Sequence, residues 1–345
     1  MCNEVLVLKK YLLPKDGKFY KANLHCHSNV SDGKLTPVQI KNAYMEKGYS
    51  IVAYTDHDVL IPHTDLNDDN FLALHGYEME VNETEGEWRY IKTCHMCLIA
   101  LEQDNLEQVC FHRSKYLFRN AVKYRDVIKF DESEPDFERE HTHECVSKMM
   151  QKGREKGFFV TYNHPVWSLE DYSDYSGYEH MHAMEIYNHG SACCGYEEYN
   201  EQQYEEMLRM GKKIYCIAAD DNHNHEEIPD SFGGFVMIKA PELEYDLVTD
   251  ALVKGNFYAS QGPEIYELWL EDGKVHIECS DVVKIVLQTD NRYMLVENAK
   301  EGNVINKADF EIDTNNKYFR ITITDAAGKH ANTNGYFIED IYKEQ

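Results

Sequence analysis

Between residues 20 and 260 the chain alternates short β-branched or aromatic runs with amphipathic stretches at helical spacing, the pattern of a parallel α/β fold. The first unit is explicit. Tyr20–His25 predicts a strand, Thr36 and Pro37 supply a helix N-cap and a proline at the first helical position, and Ile40, Ala43 and Tyr44 share one face. Gly48 ends that helix and Ser50–Thr55 predicts the next strand. Further strands are predicted at Phe71–Met79, Thr93–Ala100, Phe158–Asn163, Ala183–Asn188 and Lys213–Ala219, with Gly157 and Gly211 ending the helices before two of them. From about Gly262 the period changes to two. Val275–Cys279, Val283–Thr289, Phe310–Ile312 and Tyr318–Thr324 read as strands of a small β-sandwich, the turn at Asp325-Ala326-Ala327-Gly328 joining the last of them. The acidic run from Asp131 to Glu144 reads as a solvated loop entering a helix.

A chain of 345 residues has room for one large domain and one small one. Its 43% hydrophobic and 28% charged residues suit a folded protein outside the membrane. The apolar runs near the start, Val5–Leu8 and then Leu12-Leu13, are short and broken by Lys9 and Lys10, which argues against a secretion signal. Ten scattered cysteines suit reduced thiols in a cytoplasm better than a disulfide framework. A net charge of -26 argues against gripping long nucleic acid by phosphate neutralisation. A small anionic substrate would need a local positive centre, which bound metal supplies.

Metal-ligand residue types recur at the predicted strand ends. His25-Cys26-His27 ends the first strand, where positions i and i+2 face one side and can reach one cation, and Ser31-Asp32-Gly33 follows. The next strand runs into Thr55-Asp56-His57-Asp58; later ones carry Gly76-Tyr77-Glu78, His95, Asn163-His164-Pro165 and Asp220-Asp221-Asn222-His223. In a parallel barrel those ends converge on one face. Other histidines read as structural. His141-Thr142-His143 lies in a predicted helix, where i and i+2 diverge, and His180-Met181-His182 precedes a strand. Cys94 and Cys97 flank His95 without a second cysteine pair and read as core, while His225 continues the parity of Asp221 and His223. Arg113, Lys115, Arg119 and Arg125 read as a solvated helical face, with phosphate binding by one of them as the other reading.

Taken together, Asn23-Leu24-His25-Cys26-His27 with Ser31-Asp32-Gly33, Thr55-Asp56-His57-Asp58, Gly76-Tyr77-Glu78, His164-Pro165 and Asp221-Asn222-His223 resemble the motifs of the PHP (polymerase and histidinol phosphatase) domain family over roughly Phe19 to Pro263. The segment from Gly255 to Pro263 resembles the one that closes the catalytic domain of two-domain PHP phosphoesterases. The resemblance implies a distorted (β/α)7, TIM-like barrel over residues 1–262, followed by a small β-sandwich over 263–345. It also implies three divalent cations: one on His25, His27, Glu78 and Asp221, a second on Glu78, His95 and His164, and a third on Asp32, His57 and His223. Mixed imidazole and carboxylate ligation fits Mn, Fe or Zn. The implied reaction is hydrolysis of a small phosphate ester by a metal-activated hydroxide, two cations about 4 Å apart polarising the phosphoryl group. Asp56, Asp58 and Glu185 are the candidates for protonating the leaving oxygen, and Glu185 reads equally as a partner that orients a ligand histidine. The rival readings are an exonuclease or nucleotide phosphatase, and a metal-stabilised binding module without catalysis. The sandwich reads as a packing or oligomerising unit.

Overall fold

The computed structural model describes residues 9–342, so the Val5–Leu8 run lies outside the described residues. Seven strands succeed one another where the sequence predicts them: β1 Lys18–Asn23, β2 Ile51–Tyr54, β3 Leu72–Asn82, β4 Thr93–Ala100, β5 Phe158–Asn163, β6 Ala183–Asn188 and β7 Tyr215–Ala219. They lie side by side in chain order. Helix α1, Pro37–Glu46, starts at a Thr36–Gln39 capping box and buries Ile40 and Tyr44. Helix α2, His143–Glu155, buries Val146, Met149 and Met150, and its Gly153 lies against Leu98 and Val160 of the sheet. Helices α3, Glu201–Arg209, and α4, Tyr245–Val253, complete the set of longer α-helices among the described residues.

The architecture is mixed α/β, and the expectation of a purely parallel row needs correction. β1, β2 and β3 pair in parallel, as do β5, β6 and β7, but β4 runs antiparallel to both of its neighbours. The physical reason is the connection. A parallel crossover needs about a dozen residues and a helix to return the chain, and residues 83–92 are too few and too polar to supply one. A hairpin forms instead.

Among the described residues no ladder between assigned strands closes the row. The chain just beyond β7 is nevertheless joined to the chain just beyond β1: Cys26 and Asn222 form a parallel bridge, Asp221 N–H donates to His25 O (2.9 Å) and His27 N–H donates to Asn222 O (3.1 Å). The two ends of the row therefore meet at one rim. One apolar cluster draws on every strand of the row, through Ala22, Ile51, Ala53, Leu72, Leu74, Ile99, Phe159, Ala183 and Ile217, and adds Val248 and Leu252 of α4.

The remaining strands of four residues or more are β8 Phe235–Ala240, β9 Phe257–Ser260, β10 Ile265–Glu271, β11 Lys274–Val282, β12 Lys284–Thr289, β13 Leu295–Asn298, β14 Ile305–Glu311, β15 Tyr318–Thr324 and β16 His330–Thr333. β8 and β9 continue the large sheet from β1, and β16, β15, β12 and β13 continue it further. Strands on both sides of residue 262 thus share one sheet. A second sheet, of Lys10–Tyr11, β10, β11 and β14, packs Leu268, Leu270, Val275 and Ile277 against Ile285, Leu287, Ile321 and Ile323. The cysteines of the described residues are free thiols, and no helix there is long and apolar enough to cross a membrane.

Candidate metal centre

The strand period of two explains why polar side chains gather at the rim. Leu72 and Leu74 point into the shared apolar cluster, so Glu78 and Glu80, further along the same face of β3, point the same way just above it. The same parity carries Ile99 to Cys97 and His95, Phe159 to Asn163, Ala183 to Glu185, and Ile217 to Asp221. Reversal of β4 matters here. His95 lies near the start of its strand, opposite Glu80, and reaches the rim only because that strand runs backwards. His25, His27, His57, His164 and His223 come from the chain just beyond strand ends, and Asp32 from the loop after His27. Asp58, His164 and Asp221 have positive φ (55°, 25° and 51°), a strained conformation that tends to concentrate at functional sites.

The rim brings all of the expected ligands together. His25 Nε2 and His27 Nε2 are 3.0 Å apart, and Asp221 Oδ1 is 3.2 Å and 3.0 Å from them. Glu78 Oε1 is 3.2 Å from His25 Nε2, and its Oε2 is 3.4 Å from His27 Nε2. Two ligand atoms held about 2.1 Å from one tetrahedral cation lie roughly 3.4 Å apart, so these spacings suit a shared ion. Glu78 Oε1 also lies 3.2 Å from His95 Nδ1 and 3.2 Å from His164 Nε2, and Oε2 lies 3.1 Å from His57 Nδ1. Glu78 is the hub. On the other side Asp32 Oδ1 is 3.4 Å from His223 Nε2 and 3.9 Å from both His57 Nε2 and His27 Nδ1. Four overlapping groups here could each hold an ion; one of them includes Cys97, with His25 and Glu78.

The donor set fits divalent cations on a second observation. His27 Nδ1, His57 Nδ1, His95 Nδ1, Glu78 Oε2 and Asp221 Oδ1 are all buried without a hydrogen bond. Each such atom costs about 1–3 kcal/mol in a folded protein, and gathered along one rim they suit coordination to cations.

Outer contacts aim the rings. His25 Nδ1 is 2.7 Å from Glu185 Oε1, which turns Nε2 toward the cluster. His223 Nδ1 faces Asp221 O (3.0 Å), His164 Nδ1 meets Ser168 Oγ (3.2 Å), and His95 Nε2 lies 3.5 Å from Glu80 Oε2. Asn163 Nδ2 donates to Glu78 Oε1 (2.9 Å). Burial favours the neutral imidazole, but the carboxylates of Asp221 and Glu78 overrule it and hold His25 and His27 well above the ordinary histidine range. His164 is likewise raised, against burial, to about 9, chiefly by Glu78. His57, buried and facing His27, falls to about 3, and His223 is lowered for the same two reasons. Glu78 is held well below the carboxylate range, against burial, by His25 and His95.

The three candidates for proton delivery separate. Asp56 accepts from Ser28 N–H, Ser28 Oγ, Ser31 N–H and Ser31 Oγ at 2.7–3.0 Å, so both of its oxygens hold the loop that carries Asp32. Glu185 uses Oε1 on His25 and Oε2 on His164 N–H (2.9 Å) and Asn188 Nδ2 (2.8 Å), the orienting role. Both oxygens of Asp56 and of Glu185 are thus engaged inside the protein, and the contacts of Glu185 are those expected of the partner that orients a ligand histidine. Asp58 is different. Burial raises it to about 6 despite the Arg139 guanidinium, whose Nη2 is 2.6 Å from Asp58 Oδ1.

Sequence reasoning missed Arg139, Glu80, Asn163 and Trp167. Arg139 is the one cation in the acidic run read as a solvated loop, and that isolation was the available signal; its side chain is buried on Asp58 and donates to Glu80 O (2.7 Å). His141 and His143 are structural, bound to Glu170 and Ser173 O, but the premise is corrected: α2 begins at His143, so His141 precedes the helix. His182 accepts from Val160 N–H and stacks on Phe159, Cys94 is core, and His225 stacks on His223. Arg113 and Lys115 are engaged by Asp136 and Glu138, and Arg125 by the carbonyls of His112 and Arg113. Asp32 is held below the carboxylate range, against burial, by His57, His27 and His223, with a smaller contribution from the exposed Arg119; the neighbouring Phe118 ring is 5.3 Å from that of His57.

No family profile matches the sequence, and no curated protein matches it. Similar solved structures include a two-domain protein from Bacteroides vulgatus containing a predicted PHP-like metal-dependent phosphoesterase, 15% identical, covering 91% of this chain and 93% of that one with a TM-score of 0.42. A provisionally assigned metal-dependent phosphoesterase from Bifidobacterium adolescentis is 14% identical over 63% of this chain and 91% of its own, with a TM-score of 0.37. An amidohydrolase from Chromobacterium violaceum, with bound sulfate and no metal, is 14% identical over 60% and 89%, with a TM-score of 0.35. At such values the likeness assigns neither ligands nor reaction, which have to be read from the side chains themselves.

Proposed function

We propose that the chain is a PHP-type, metal-dependent phosphoesterase that hydrolyses a small phosphate ester. The observation that carries this reading is the rim cluster, in which buried imidazole nitrogens and carboxylate oxygens face one another at 3.0–3.4 Å around Glu78. The row of seven strands, its ends joined at the rim, is read as the distorted (β/α)7 barrel. His25, His27, Glu78 and Asp221 would hold one cation, Glu78, His95 and His164 a second, and Asp32, His57 and His223 a third. Bound divalent cations supply Lewis-acid charge that draws phosphoryl oxygens and lowers the pKa of water.

The chain's own residues do the rest. Glu185, Glu80, Ser168 and Asp221 O fix which ring nitrogen of His25, His95, His164 and His223 faces inward, so these four ligands are organised before substrate arrives. Asp56 clamps the Asp32 loop. Arg119, with no hydrogen-bonded carboxylate or carbonyl among the described residues, stands at the Asp32 side, where it can meet a phosphate oxygen left outside the cations. Asp58, raised to about 6 and held by Arg139, is the carboxyl among the three candidates that remains suited to carry a proton. The net charge of -26 repels anions everywhere except where cations accumulate, which favours a small ester over a long polyanion.

The test is a panel of phosphomonoesters and short oligonucleotides with Mn-loaded protein. Phosphate release that disappears with a chelator and returns with metal is expected. No release from any member, in protein shown to contain metal, would leave a binding module as the better reading.

A further inference from the structure

Two of the chain's three tryptophans meet beside the metal centre. The Trp167 ring stands edge-on to His164 and His95, with centroids 5.1 Å and 5.3 Å away. Trp88, from the hairpin between β3 and β4, lies 6.5 Å from Trp167 with the ring planes 65° apart. The pair makes an aromatic corner whose inner edge touches two of the expected ligands. Its outer edge faces water: Trp88 is 67% exposed.

The corner is built. Val166 and Trp167 donate their N–H groups to the two oxygens of Glu198 (3.2 Å and 2.8 Å), a carboxylate 1% exposed that also accepts from Asn200 Nδ2 (2.9 Å). A buried carboxylate is thus committed to holding the turn that carries Trp167. Packing gives no reason for Trp88 to stand in water next to it, since a tryptophan contributes most to folding when its ring is buried. Lys92, at the end of the same hairpin, is held by Asp171 and Asp174. A flat ring needs only a face.

We propose that Trp88 and Trp167 form the subsite for the leaving group of the phosphate ester, and that this group carries a planar aromatic ring. The inference rests on the phosphoesterase reading and narrows its substrate class. A phosphate held beside His95 and His164 would have its leaving group next to Trp167, and Trp88 would extend the wall outward.

Two phosphonates that cannot be hydrolysed test it: benzylphosphonate and cyclohexylmethylphosphonate, titrated calorimetrically into Mn-loaded protein. The saturated ring is of similar size and more hydrophobic, so a preference for the flat one reports stacking. Benzylphosphonate is expected to bind roughly 5–10-fold tighter. Trp88→Ala should abolish the difference and Trp88→Phe should retain it. Equal affinities in the unmodified protein, or a preference that survives Trp88→Ala, would overturn the aromatic subsite while leaving the phosphoesterase reading intact. Binding of neither phosphonate would overturn the aromatic subsite, and the phosphoesterase reading falls with it only if the ester panel also shows no metal-dependent release.

Discussion

His25 shows how one residue serves the site through two atoms. Its Nδ1 is fixed by Glu185, so its Nε2 faces His27, Glu78 and Asp221. Glu185→Gln keeps the shape and weakens the acceptor; it should lower metal affinity about 10–100-fold with an unchanged circular dichroism spectrum, measured by metal titration. The titration behaviour of the cluster gives a second prediction. His25, His27 and His164 are raised when no cation competes, so each contributes stability that is complete below the ordinary histidine value and is lost as pH rises through the raised one, about 9 for His164. Chelated protein should therefore melt at a lower temperature at pH 10 than at pH 7. Metal binding at pH 7 should release protons, seen as a buffer-dependent calorimetric heat. Most of the ligand types were legible in the sequence because they fall in short motifs on or just beyond predicted strands. Glu80, Asn163 and Arg139 were not, because their roles come from partners distant in sequence, such as Arg139 on Asp58.

At the scale of elements, the strand positions were legible because apolar runs of β-branched and aromatic residues mark them; Thr93–Ala100, Phe158–Asn163 and Ala183–Asn188 fall where predicted. Direction was not legible in the same way. β4 reads like its neighbours, and only the shortness of residues 83–92 forces it to run back, which is what brings His95 opposite Glu80. Later strands such as β10, β13 and β16 were missed, their alternation being weaker than that of β15. The loop from Ser28 to Gly33 is the element on which the third expected ion depends. A Cβ on Gly33 would sit 2.4 Å from His27 O, so the turn closes only around glycine. Gly33→Ala should displace Asp32 and remove at least one ion per chain, with a smaller change in melting temperature than in activity; metal analysis beside thermal unfolding checks both.

For the whole molecule, one sheet runs from the seven-stranded row into the last strands, and a buried ion pair fastens α3 to them. Arg320 is fully buried; its Nε donates to Glu205 and its Nη2 to Glu201 (2.8 Å), while Tyr318 OH donates to Glu205 Oε2 (2.6 Å). Arg320→Met leaves Glu205 buried without its cation and should cost about 3–5 kcal/mol, read as a lower denaturant midpoint. Metal content per folded chain should not change, since none of these groups touches the rim. The charge of -26 makes the same division at long range: the surface repels anions, and only a rim loaded with cations attracts them. That loading is the central claim. Elemental analysis of the protein after Mn loading and extensive dialysis tests it most directly, with Glu78→Gln measured beside it. About three ions per chain in the unmodified protein and a loss of two in the variant is the predicted result; trace metal in both, or equal content in both, would contradict it.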